Sequence, residues 1–182
     1  MKLQGLIWGA FLTTLTLLLG CGITGEYSQK GGDSNRSSVL IQEQIPIYAE
    51  LEFAQMLFNA VNEERAQQGL FPLIWHDPVA NVAKFRSKDM ASRNYFSHKS
   101  PEGETAFSLL DRYGIPHSWA GENLARNNYP DNQTVGVAIR DLMASEGHQE
   151  NILSGNYTHL GVGAVEDSTG MKYYTMIFIS PP

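Results

Sequence analysis

Residues 172–179 constrain the fold of this 182-residue chain more than any other stretch. Tyr173, Thr175, Ile177 and Ile179 alternate there with Tyr174, Met176 and Phe178, so a strand at this place carries apolar side chains on both faces. An antiparallel sheet with one wet face shows polar residues at every second position, and this segment does not. Something apolar must therefore cover each side. Residues 160–165 form a second apolar run, and the intervening Glu-Asp-Ser-Thr-Gly-Met is rich in turn formers, so the two runs are expected to pair as a hairpin.

The cover has to come from the first two thirds of the chain, where the hydrophobic period is helical. From Tyr48 onward Leu51, Ala54, Leu57, Phe58 and Val61 recur at three- and four-residue steps, and Gly69 marks a stop. Asp77-Pro78 supplies an N-cap and a first-turn proline for a second helix, whose stripe is Val79, Val82, Ala83, Arg86 and Met90. A third helix is expected over 105–113 and a fourth over 133–144. Helices first and antiparallel strands last define an α+β fold, a three-layer α-β-α sandwich around a mostly antiparallel sheet.

The N-terminus obeys a different logic. Met1-Lys2 gives a positive start, residues 3–19 are mostly apolar, and Leu18-Leu19-Gly20 leads directly into Cys21. This order resembles the lipobox of bacterial lipoprotein signals. The expectation is a signal peptide over 1–20, a lipidated Cys21 opening a flexible tether over 21–47, and a folded domain over 48–182. That places the protein outside the cytoplasm, with the membrane as a partner through its lipid. An ordinary cleaved signal and an uncleaved anchor helix are the competing readings; for the latter the run is at the short limit.

Cys21 is the only cysteine, so the chain can build neither an internal disulfide framework nor a thiolate zinc cluster. Thirteen Lys and Arg stand against 19 Asp and Glu, a net charge of −6. Loss of residues 1–20, which hold Lys2 and no acid, leaves 12 against 19, or −7. A nucleic-acid partner is excluded on that balance.

The sequence lacks His-Glu-x-x-His, Gly-x-Ser-x-Gly, a phosphate-cradling glycine loop and a dinucleotide fingerprint. Context singles out two of the five histidines. His98 follows Tyr95-Phe96-Ser97 and precedes a Ser-Pro-Glu-Gly turn, and His148 lies just past the fourth helix in Ser145-Glu146-Gly147-His148. Glu122 sits among small residues in Ala120-Gly121-Glu122-Asn123. Two imidazoles and a carboxylate that meet in space can bind a divalent ion or relay a proton. The structural alternative has Glu122 accepting backbone N–H groups and His148 capping a helix end. Asn123 and Asn151 are expected to fix loops, and Asn62 and Arg65 to brace the first helix.

Six motifs occur in order: Asn62-x-x-Arg65, Pro72-Leu-x-Trp75, His98-x-Ser-Pro-x-Gly103, Gly121-Glu-Asn123, Ser145-x-Gly-His148-x-x-Asn-Ile-Leu153 and Gly161-Val-Gly163. Together they resemble the bacterial branch of the CAP superfamily, which includes cysteine-rich secretory proteins, antigen 5 and plant pathogenesis-related proteins. The resemblance implies an α-β-α sandwich with a central cavity lined by two histidines and two acids, often with a bound divalent cation. His98 and Glu122 match the first histidine and first acid, and His148 matches the helix-end Gly-His of the bacterial branch. For the second acid the chain offers Ser145 and, one residue on, Glu146. The segment that carries a histidine in eukaryotic members reads Gly155-Asn156-Tyr157-Thr158, and Leu142 replaces a common tryptophan.

The cavity residues implied are thus His98, Glu122, Ser145, Glu146 and His148, with His98 and His148 as ligands for zinc. Three functions remain open at this point. One is a non-enzymatic binding module for a small apolar ligand, a lipid, a peptide or an envelope polymer. The others are a histidine- or metal-dependent hydrolase and a structural or adhesive envelope protein.

Overall fold

The computed structural model describes residues 34–182, with side chains from residue 49 onward. The signal over 1–20, Cys21 and the first part of the expected tether lie outside the described residues. Five helices and four strands follow in chain order: α1 Ser34–Gln67, β1 Ile74–Trp75, α2 Asp77–Arg93, α3 Ala106–Arg112, β2 Trp119–Asn127, α4 Asp131–Met143, α5 Glu146–Leu153, β3 His159–Glu166 and β4 Lys172–Ser180. No helix among the described residues is long and apolar enough to cross a membrane.

The strands form one sheet in the order β1-β3-β4-β2. The β3–β4 hairpin pairs from His159↔Ile179 to Glu166↔Lys172, and β2 runs antiparallel to β4 from Trp119↔Ser180 to Asn127↔Lys172. The two-residue β1 lies parallel to β3. The hairpin matches the sequence reading, and β4 is buried along nearly its whole length.

Its two faces divide as the alternation requires. Tyr174, Met176 and Phe178 join Phe53, Leu57 and Val61 of α1, Val135, Ala138 and Leu142 of α4 and Ile152 of α5 in one core. Ile177 and Ile179 face Val79, Val82 and Ala83 of α2 and Leu109 and Leu110 of α3 in another. The result is the expected α-β-α sandwich. At the start of the α1 stripe the register is shifted: Phe53 is buried, whereas Leu51 is 59% exposed.

Local chemistry sets the helix ends. Helix α1 begins at Ser34, ahead of the point at which its hydrophobic period starts, and stops before Gly69, which takes φ +69°. At α2 the cap is His76, not Asp77: the His76 Nδ1 accepts the Val79 N–H at 3.3 Å, while Asp77 accepts the indole N–H of Trp75 at 2.7 Å. Thr105 and Ser108 form a capping box at α3.

Helix α2 lies unusually close to β3. A methyl group at Gly161 would collide with the backbone of Val79 and Ala80, and one at Gly163 with the backbone of Ala83 and Lys84. These two glycines let the helix touch the sheet backbone to backbone. Ser87 fastens the contact by donating to the carbonyl oxygen of Gly163 at 3.2 Å.

Gly163→Ala is therefore expected to force α2 outward and cost ~1–3 kcal/mol, the range for overpacked cores. Gly136→Ala, in α4 with open space around it, should be neutral or gain up to ~1 kcal/mol from helix propensity. Urea unfolding followed by tryptophan fluorescence measures both.

Candidate functional site

Arg86 stands on the buried stripe of α2 with a side chain 1% exposed, and Glu122 faces it from β2 at 3%. Neither charge survives there alone. The Arg86 Nε donates to Glu122 Oε1 at 3.2 Å, Nη1 to the Tyr95 hydroxyl at 3.1 Å and Nη2 to the Ser97 carbonyl at 2.8 Å. The guanidinium thus grips β2 with one edge and the loop after α2 with the other. That loop carries His98.

The second carboxylate oxygen of Glu122 meets His98 Nδ1 at 2.6 Å. The His98 side chain is 58% exposed, so a half-wet imidazole rests on a buried, paired carboxylate. This contact assigns the proton to Nδ1 in neutral His98 and leaves Nε2 facing outward as an acceptor. The hydrogen bond to Glu122 raises the histidine's pKa above 6.5, with burial and the charge on Arg86 acting against it. A folded value above the unfolded one means that the contact stabilises the fold fully below pH 6.5 and fades as pH rises through the raised value.

His148 lies past α4, as expected, but within a further helix, α5, because Ser145 opens a new helix at Glu146. Burial, and then the charge on His98, lower its pKa below 6.5. It is tied to the cluster through main chain: Asn123 Nδ2 donates to the His148 carbonyl at 2.9 Å. Asn151 Nδ2 donates to Asn123 Oδ1 at 2.8 Å and to the Glu122 carbonyl at 3.4 Å, so α5 is stitched along the outer edge of β2. Gly121 permits this approach, since a methyl group there would meet the Tyr157 hydroxyl and Asn151 Oδ1. Asn123 and Asn151, expected to fix loops, lie instead in β2 and α5 and join these two elements.

The structure therefore joins His98 to Glu122 and sets His148 within electrostatic reach of His98. Ser145 is the N-cap of α5 without a side-chain cap bond, and Glu146 is exposed in its first turn. Neither is hydrogen-bonded to the cluster. His148 lines a recess of about 180 Å³ with Phe96, Leu124, Ala138 and Leu142, and His98 and Glu122 do not line it.

For zinc the cluster offers two imidazoles, His98 through Nε2 and His148, and no third ligand: Arg86 and His98 occupy the two Glu122 oxygens, Glu122 fixes the proton on His98 Nδ1, and among the described residues no three His, Cys, Asp or Glu side chains converge on one point. Ser100, the serine nearest His98 on the C-terminal side, is 7% exposed and closes its own turn: it donates to Glu102 and accepts from the backbone N–H groups of Glu102 and Glu104.

The apolar stripe of α2 carries one cation, Arg86. A cation at a buried helical position demands an anion, and Glu122, an acid among small residues, was the available one. Arg65 and Asn62 do brace α1. The Arg65 guanidinium donates to the carbonyls of Phe71, Ile152 and Ser154, and Asn62 exchanges two bonds with Leu73.

Residues 58–178 match the model of the cysteine-rich secretory protein family, CAP. Two curated proteins of Bacillus subtilis (strain 168) are similar. The uncharacterized protein YkwD is 37% identical over 117 residues, 64% of this chain and 44% of that protein. The uncharacterized membrane protein YlbC is 38% identical over 125 residues, 69% of this chain and 34% of that protein. The chain thus spans less than half the length of either. Among solved structures, an extracellular protein containing an SCP domain from Bacillus anthracis str. Ames superposes with a TM-score of 0.63 at 38% identity, over 71% of this chain and 41% of that one. An outer surface protein from Borrelia burgdorferi shares the fold at a TM-score of 0.64 and 18% identity, over 72% of this chain and 94% of that one.

Arg86→Met leaves the Glu122 charge buried without its main partner and is expected to cost ~3–5 kcal/mol, whereas Arg86→Met/Glu122→Leu recovers most of that loss. A double-mutant cycle by urea unfolding reads the coupling; additive single effects would separate the two residues.

Proposed function

We propose that this chain, which belongs to the cysteine-rich secretory protein family on its match over residues 58–178, is a lipid-anchored extracytoplasmic binding module rather than a hydrolase. The observation that carries the reading is the full engagement of Glu122. With one oxygen on Arg86 and the other on His98, this buried carboxylate serves as the fixed support of the imidazole rather than as a group presented to a ligand. The hydroxyl of Ser100 is tied into its own turn and is not turned toward His98. What remains is an outward-facing imidazole nitrogen on a rigid support, beside the small recess at His148. Such an arrangement offers one directed hydrogen bond to a ligand and orients it.

The envelope location is supported by the lipobox-like Leu18-Leu19-Gly20-Cys21. It agrees with one relative being called a membrane protein and another an extracellular protein. On this reading Cys21 carries lipid and holds the domain at the membrane surface.

Cys21→Ser is expected to move the protein from the membrane pellet to the soluble fraction with its melting temperature unchanged. Unaltered partitioning would contradict the anchor. Casein should stay intact in the presence of the purified protein; cleavage that His98→Ala abolishes would favour the hydrolase.

A further inference from the structure

A trough of about 630 Å³ lies beside the end of β2 and the β3–β4 turn, and nothing above uses it. It shares Arg126, Asn127 and Asp141 with the recess at His148, so the two adjoin. We propose that this trough binds a neutral, hydroxyl-rich oligosaccharide. The proposal rests on the binding-module reading and gives it a ligand class.

The polar groups of the trough divide into those that build it and those that remain. Asn127 is spent on structure: its Oδ1 accepts from the Thr134 hydroxyl at 2.5 Å and from the Tyr129 N–H at 3.3 Å, and its Nδ2 donates to the Thr134 carbonyl. Asp167 is spent on the turn, where Oδ1 accepts from the backbone of Thr169 and Met171. Among the described residues, the Arg126 guanidinium and the side-chain amides of Asn94 and Asn128 make no hydrogen bond, nor does the Tyr129 hydroxyl. Asp141 is shared only with Arg140 on the surface. The Arg126 guanidinium carbon lies 4.9 Å from the centre of the Phe96 ring, a cation–π contact that holds it over the ring without using its N–H groups.

This residual set selects a ligand. Planar amides, a carboxylate and a guanidinium each offer paired donors or acceptors at the spacing of neighbouring hydroxyl groups. Tyr129 adds an aromatic ring, 46% exposed, on which the C–H face of a sugar ring can rest. Asp141 and Asp167 offset the single cation, which disfavours an anionic polymer, and the amides disfavour an apolar chain. The support is rigid. The Tyr129 main chain is held at both ends, by Asn127 and by Lys172 Nζ on its carbonyl, so little ordering remains to be done on binding.

The test uses the full chain bearing Cys21→Ser, titrated with tetra-N-acetylchitotetraose and, separately, with the polyanion tetragalacturonate, and read by amide chemical shifts. The neutral sugar should perturb Asn94, Arg126, Asn128 and Tyr129 in a saturable manner. Tyr129→Ala and Asn128→Ala, with melting temperatures unchanged, should each weaken it about tenfold, the scale of one lost stacked or hydrogen-bonded contact. Tetragalacturonate should bind about tenfold more weakly or not at all. Tighter binding of the polyanion would overturn the proposal, as would saturation unaffected by both variants. Shifts confined to His98 and His148 would also overturn it while supporting ligand binding at those two histidines. Absence of any shift at millimolar sugar would overturn it too, whereas the binding-module reading falls only if the casein test shows turnover.

Discussion

The buried pair of Arg86 and Glu122 is the interaction on which the rest of this site depends. It joins α2 to the edge strand β2 across the layer boundary, at side chains that solvent scarcely reaches. Because Arg86 also holds Tyr95 and the Ser97 carbonyl, the same group that neutralises Glu122 shapes the loop that brings His98 to it. One cation therefore solves two problems: it makes a buried carboxylate tolerable, and it fixes the distance at which an imidazole can lean on that carboxylate.

Such a pair needs a helix seated firmly on the sheet, and the glycines of β3 provide it. With no side chain at Gly161 and Gly163, the α2 backbone comes into direct contact with the strand, and Ser87 bonds both the Gly163 carbonyl and the Thr175 hydroxyl. On the far side of Glu122 the amides of Asn123 and Asn151 close the exposed edge of β2 against α5. The carboxylate is thus held by α2 and by the loop that carries His98, while its strand is fixed along the edge by α5. A rigid, satisfied centre with one exposed imidazole suits recognition, because a ligand meets a surface already in its bound shape.

The architecture was legible because β4 announces it. Alternating apolar residues on both faces require cover on both sides, and the helical periods of α2 and α4 supply it where the sequence places them. The β2 strand was not legible: its buried stretch Gly-Glu-Asn-Leu contains a charge and an amide, which mimic a loop until Arg86 and Asn151 are seen to satisfy them. The break between α4 and α5 was hidden for a related reason. Ser145 starts a new helix only two residues after α4 ends, so His148 reads as lying just past a helix when it lies inside the next one. The family resemblance picked out His98, Glu122 and His148 by motif, and only the coordinates show that Glu122 is already occupied. Gly161-Val-Gly163 was likewise visible as a pattern without its cause, which is the close approach of α2.

The central claim is that Glu122, made tolerable by Arg86, orients and charges His98. Titration of the His98 ring by 15N-resolved NMR, in the wild type and in Glu122→Gln, tests it most directly. The account predicts a neutral form with the proton on Nδ1 and a midpoint above 6.5 in the wild type. In the variant the midpoint should fall to 6.5 or below, since burial and the Arg86 charge then act unopposed. A wild-type midpoint at or below 6.5, or one that Glu122→Gln leaves unmoved, would contradict the account.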